Sequence, residues 1–308
     1  MALNPIAQEI INAFPVNEVS ELTPDDFRLA MDEGAAAVER EEVEVIEDRD
    51  LVGADGQNLP IRVYRPEGVQ SPAPVSVFFH GGGWVVGGLV SHDAECRALA
   101  NQTQTVLIAV DYRLAPEHPF PAAPEDCYTA LCQIVDLADE LEIDPKRLAV
   151  IGDSAGGNLA TVICLMSRDR GGPTICHQLL LYPACDIDPE RWPSTRENAT
   201  GYLLTDEMMR WFYRHYVGAE VFVDEAYASP IRANDLSGLP SAQVITAEFD
   251  PLRDEGEAYA QALLNAGVET HYECVSGLIH GFLGFAEMIP EAKEARNAAC
   301  QRLVEALG

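Results

Sequence analysis

Residues 147 to 160, RLAVIGDSAGGNLA, constrain the fold of this chain more than any other stretch. Leu148, Ala149, Val150 and Ile151 form a short apolar run of the kind buried in a parallel sheet, and Gly152 ends it. Ser154 stands between Gly152 and Gly156, a spacing in which small residues let a serine occupy a tight strand-to-helix turn with its hydroxyl clear of the backbone. Asn158-Leu159-Ala160 reads as the first turn of the helix that follows. A solvated serine in a glycine-rich turn has the same spacing, so the motif alone makes Ser154 only a candidate nucleophile.

Around this stretch, apolar strand patterns alternate with helical ones. Strands are expected at Val75 to Phe79, Val106 to Val110, Leu148 to Ile151, Leu179 to Tyr182, Ala242 to Ala247 and Thr270 to Cys274. Between and after them come helices at His92 to Asn101, Ala123 to Leu141, Asn158 to Arg168, Glu255 to Asn265 and about residues 291 to 306. Alternation of this sort implies an α/β fold with a mostly parallel central sheet flanked by helices. Upstream, Val43, Val45 and Leu51, then Ile61 to Tyr64, suggest two antiparallel strands joined at Gly53 to Gly56. Residues 1–40 read as helical: Ile6, Ile10, Ile11 and Phe14 have amphipathic spacing, and Thr23-Pro24-Asp25-Asp26 looks like a capped start for Phe27 to Val38.

The rhythm breaks at residues 186–234, where Trp192, Tyr202, Trp211, Phe212, Tyr213 and Tyr216 cluster and Thr205-Asp206 begins a helix. A core helix is one reading. A roof over a ligand pocket is the other, favoured because no strand pattern surrounds the segment. The division is therefore one α/β core at 41–185 and 235–308, capped by 1–40 and 186–234, with Trp84, Leu204, Trp211, Phe212 and Tyr216 as candidate pocket residues.

Twenty basic residues against fifty acidic ones give a net charge of −30, which would repel nucleic acid and anionic membranes. Salt adaptation and simple solubility both account for that surface. Eight cysteines fall in no C-x-x-C pair or metal-ligand spacing, and several sit in apolar runs, so buried free thiols, no metal and a reducing cytoplasm are expected. The first fourteen residues show no basic n-region or long apolar run, so no signal peptide is expected, and no apolar stretch of 18 residues occurs in the sequence, so no membrane span is expected.

A serine hydroxyl needs a base, and the base needs a carboxylate to orient it. Asp250 follows the strand VITAEF directly and is held by Pro251; Asp254, four residues on, suits a helix N-terminus, and Glu248 suits a structural role. Of the histidines after these acids, His271 lies inside a strand pattern, whereas His280 lies in a loop between Gly277 and Gly281. The order Ser154, Asp250, His280 is that of α/β-hydrolase triads. The strand VSVFF leads into His80-Gly81-Gly82-Gly83-Trp84, where consecutive glycines let backbone N–H groups converge. Gly81, Gly82 and Ala155 are the expected oxyanion donors, and His80 is expected to brace the loop.

In HGGGW (80–84), DYRLAPEHPFPAAPED (111–126), GDSAGGN (152–158), DPLRD (250–254) and HGF (280–282), the chain resembles the bacterial hormone-sensitive lipase family of α/β-hydrolase esterases. The resemblance implies an α/β-hydrolase fold with a helical cap, Ser154 as nucleophile, Asp250 as acid, His280 as base, and the Gly81, Gly82 and Ala155 hole. It implies a serine carboxylesterase that acts without cofactor on small-molecule esters. Acyl chains of about two to eight carbons suit the aromatic cap. A deacetylase or amidase of the same fold and a non-catalytic binding module are the alternatives, and a homodimer is left open.

Overall fold

The apolar runs pair into one eight-stranded sheet, β1 (Val45–Val52), β2 (Asn58–Arg65), β3 (Ala73–Phe79), β4 (Val106–Val110), β5 (Ile143–Asp153), β6 (His177–Leu181), β7 (Ser241–Phe249) and β8 (Thr270–Ile279). Their order is β1-β2-β4-β3-β5-β6-β7-β8, with antiparallel pairing at β1–β2 and β2–β4 and parallel pairing elsewhere. The computed structural model describes residues 2–13, 22–218 and 225–308. Phe14 and residues 219–224 of the expected insertion lie outside the described residues.

Side chains alternate across the sheet and build a core on each face. Val75, Val77, Val150 and Val244 join one core with Leu131 of α4 (Ala122–Asp136), Leu159 of α5 (Ala155–Arg170) and Leu263 of α8 (Arg253–Asn265). Phe78, Ala149, Ile151 and Ile245 join the other with Ile10 of α1 (Pro5–Ala13), Leu99 of α3 (Asp93–Thr103) and Leu303 of α9 (Pro290–Leu307). Strand register then fixes where the loops meet. Phe79 pairs with Gly152, so the loop after β3 lies beside the turn after β5. Phe249 pairs with Ile279, which sets Asp250 beside His280.

Three further helices come from the two segments expected to cap the core: α2 (Pro24–Ala36), α6 (Pro193–Glu197) and α7 (Asp206–Val217). Thr23 caps α2 by accepting from Asp26 N at 3.2 Å, and Thr205 caps α7 by accepting from Met208 N at 3.2 Å; acidic residues fill both first turns. Helix α2 buries no residue fully. Arg28 ties it down instead, donating to Val85 O at 2.8 Å, to Ala115 O at 2.9 Å and to the Glu117 carboxylate. The Phe27 ring meets Trp211 and Phe212 of α7 at 6.1 and 5.9 Å.

Several boundaries differ from those expected. Helix α4 ends at Asp136, not Leu141, and β8 continues past Cys274 to Ile279 because β7 still offers a partner at Phe249 beyond a bulge. Helix α5 begins at Ala155, three residues before Asn158. Gly156 explains the early start: a Cβ there would run into the carbonyl oxygen of Phe79, so only glycine lets the helix press against the end of β3.

Candidate active site

Ser154 is the corner residue between β5 and α5. Its backbone, at φ 55° and ψ −117°, lies in a region that a side chain rarely occupies. Three hydrogen bonds hold it there: Ser154 N donates to Leu181 O at 2.8 Å, and Ser154 O accepts from Asn158 N and Ala184 N, each at 3.1 Å. The strained turn is thus fixed by the neighbouring strand and by the helix it starts, and its hydroxyl faces a cavity.

His280, just beyond β8, brings Nε2 to 2.9 Å from Ser154 Oγ. Its Nδ1 lies 2.8 Å from Asp250 Oδ2. Asp250 is fully buried, and its other carboxylate oxygen accepts from Leu252 N at 2.8 Å. The Tyr182 ring meets the imidazole edge-on at 4.9 Å and limits its rotation. Asp254 and Glu248 face elsewhere: Asp254 accepts from Ser194 N at 2.8 Å and Arg253 Nε at 2.8 Å, and Glu248 from Gly277 N at 2.7 Å. His271 sits on β8 near Glu273.

Sequence reasoning missed the support under Asp250. Asn198 donates to Asp250 O at 3.0 Å, and Ser194 of α6 donates to Pro251 O at 2.7 Å. Both belong to the segment read as a roof over the pocket, which also clamps the Asp250 loop.

The glycine loop departs from expectation at one donor. The N–H of Gly81 points at Asp153 Oδ1, 2.7 Å away, and is committed there. Gly82, Gly83 and Ala155 line the cavity with Ser154, whereas Gly81 does not. The adjacent third glycine was the available signal. His80 is buried and stacks on Tyr112 at 4.2 Å, with Nδ1 2.7 Å from Gly81 O. Burial, reinforced by His92, pushes its imidazole down to about 3, so His80 is a neutral brace.

The cavity holds about 700 Å³. Trp84, Leu204 and Phe212 line it, joined by Met208, Met209 and Tyr213. Trp211 and Tyr216 are corrections to the expected pocket: neither lines it. On α7 the cavity face carries 208, 209, 212 and 213, one turn apart. Trp211 packs between Phe27 and His215, while Tyr216 lies flat against Trp84 at 4.2 Å, behind the wall.

A polar corner interrupts the apolar lining, where Ser91, His92 and Glu95 adjoin Asp153. Burial first, then the Asp153 charge, pushes the Glu95 carboxyl up to about 8, against a pull from Arg296. Folding therefore favours the protonated form between its ordinary 4.5 and about 8; the stability this contributes is complete in acid and lost as pH rises through that window. Glu95→Gln stays neutral throughout, so its Tm, measured by calorimetry from about pH 5 to about pH 9, should fall less than that of the native chain. Parallel curves would contradict the raised carboxyl.

A family profile described as the alpha/beta hydrolase fold matches residues 76–284. The chain is 40% identical over 309 residues to the carboxylesterase NlhH of Mycobacterium tuberculosis, covering 99% of this chain and 96% of that one. It belongs to the hormone-sensitive lipase family of α/β-hydrolase carboxylesterases. This esterase is also 36% identical to an ethyl acetate hydrolase of Pseudomonas putida, over 96% of each chain. Among solved structures it superposes on a hyperthermophilic esterase from the archaeon Pyrobaculum calidifontis with a TM-score of 0.95, at 40% identity and full coverage of both chains. Among the described residues of the esterase, no group of three or more His, Cys, Asp or Glu could hold a metal ion, and no helix is long and apolar enough to cross a membrane.

Proposed function

We propose that this carboxylesterase works through an acyl-enzyme on Ser154 and prefers short- to medium-chain esters. The carrying observation is the continuous hydrogen-bonded line from Ser154 Oγ through His280 to Asp250, at 2.9 and 2.8 Å. His280 Nε2 takes the hydroxyl proton as Oγ attacks the ester carbonyl. The N–H groups of Gly82, Gly83 and Ala155 stabilise the oxyanion; Ala155 opens α5, so its amide belongs to the unpaired first turn. His280 then protonates the leaving alkoxide, which sets the alcohol on the His280 side of the cavity. Water repeats the cycle and releases the acid, while Asp250 holds the imidazole with its Nδ1 proton inward.

The substrate range follows from the walls. A cavity of about 700 Å³ lined by Phe27, Trp84 and Phe212 suits a compact ester. The Pseudomonas putida relative, an ethyl acetate hydrolase, supports the same range. A series of p-nitrophenyl esters from acetate to laurate tests this: kcat/KM should peak at about two to eight carbons. A maximum at about twelve carbons or beyond would overturn the substrate reading.

A further inference from the structure

We infer that Asp153 is a positioning residue that holds the glycine loop in the shape that aims its donors at the oxyanion. The inference rests on the reading of Ser154 as nucleophile and of Gly82, Gly83 and Ala155 as the hole. Asp153 is the last residue of β5 and is nearly buried. One carboxylate oxygen accepts the Gly81 N–H at 2.7 Å. The other fills the space that a Cβ on Gly81 would need, so the loop and this side chain are fitted to one another.

A run of three glycines does not hold its own shape, and each glycine loses more backbone freedom on ordering than other residues do. The loop must therefore be pinned peptide by peptide. The Tyr112 hydroxyl donates to His80 O at 2.7 Å, and Asp153 takes the N–H at the other side of that same peptide. His80 Nδ1 holds Gly81 O at 2.7 Å, and Val85 N and Val86 N both donate to Gly82 O at 3.0 Å. In a planar trans peptide the N–H points opposite the C=O. Pinning the carbonyls of Gly81 and Gly82 thus turns the N–H groups of Gly82 and Gly83 the other way.

Asp153 sits at the root of this chain of constraints and is bonded directly to Ser154. One dipeptide therefore carries both the nucleophile and the anchor of the loop, which keeps the distance between Oγ and the hole fixed. A bare carboxylate so near would oppose a developing oxyanion. Here the Gly81 N–H occupies it, and His92 Nε2 stands 3.8 Å from the same oxygen.

The test compares Asp153→Ala and Asp153→Asn with the native chain on a short-chain ester and on a trifluoromethyl ketone, whose hemiketal oxyanion depends on the hole. Asp153→Ala should lose about 10- to 100-fold in kcat with KM little changed, and the inhibitor should weaken in parallel. Asp153→Asn keeps an oxygen that can accept from Gly81 and should recover most of both losses. Should the alanine variant fail to fold, Asp153→Ser takes its place, since its hydroxyl stops one bond short of the carboxylate oxygen. Ser154→Ala run alongside separates the outcomes. An active Ser154→Ala would overturn the nucleophile reading and this inference together. An inactive Ser154→Ala beside Asp153→Ala at native kcat and inhibitor affinity, or beside Asp153→Asn no better than Asp153→Ala, would overturn this inference alone.

Discussion

Ser154→Ala should lower kcat on p-nitrophenyl butyrate by about 10⁵- to 10⁶-fold, His280→Ala by nearly as much, and the double variant by no more than either. The geometry gives the reason. Oγ and Nε2 are 2.9 Å apart, so the imidazole's part is to take the proton that Oγ must lose. Once the hydroxyl is gone, the base has nothing to accept; once the base is gone, the hydroxyl stays a weak nucleophile. Deleting the second partner therefore removes nothing further. What survives is the contribution of the cavity and the hole, which bind and polarise an ester for attack by water. Steady-state rates on the two single variants and the double variant, with folding checked by circular dichroism, measure this. Losses that multiply in the double variant would mean that the two residues act separately.

The sheet was legible because its signals are local. Val106 to Val110 is apolar at every position, and β4 spans just those residues, buried on both faces. Strand register did the rest: level strand ends bring Ser154, Asp250 and His280 together across 126 residues of chain. The proposed oxyanion donors were less legible. Gly81, Gly82 and Gly83 are alike in sequence, and what separates them is which N–H a neighbour claims. Asp153 claims that of Gly81, a fact of side-chain geometry and not of spacing. Two of the five expected pocket residues, Trp211 and Tyr216, fail to read for a related reason. Tyr213 and Tyr216 are both bulky aromatics on α7, but Trp84 stacks over Tyr216 and puts it behind the cavity wall. Helix α5 began early because Gly156 packs against Phe79, a tertiary contact that outweighs the low helix propensity of glycine.

Asp250→Asn should cost about 10⁴-fold in kcat with little loss of stability. The amide oxygen can still accept from Leu252 N, as Oδ1 does at 2.8 Å, so the loop keeps its shape. The amide nitrogen then faces His280 Nδ1, where Oδ2 lies at 2.8 Å. A donor there demands an acceptor, so the imidazole proton moves to Nε2 and points at Ser154 Oγ. The base is then present, correctly placed and unable to accept. The other two carboxylates near this strand end supply the control. Asp254→Asn and Glu248→Gln remove charges that serve Ser194 N with Arg253 and Gly277 N, neither of which touches the imidazole. Asp254→Asn should lower stability by about 1 kcal/mol while kcat stays within about tenfold of native. Only the orienting carboxylate sets the tautomer, so only Asp250→Asn should combine a native-like melting curve with near-complete loss of turnover. Retention of about a tenth of native kcat by Asp250→Asn, or an equal loss in Asp254→Asn, would reassign the acid.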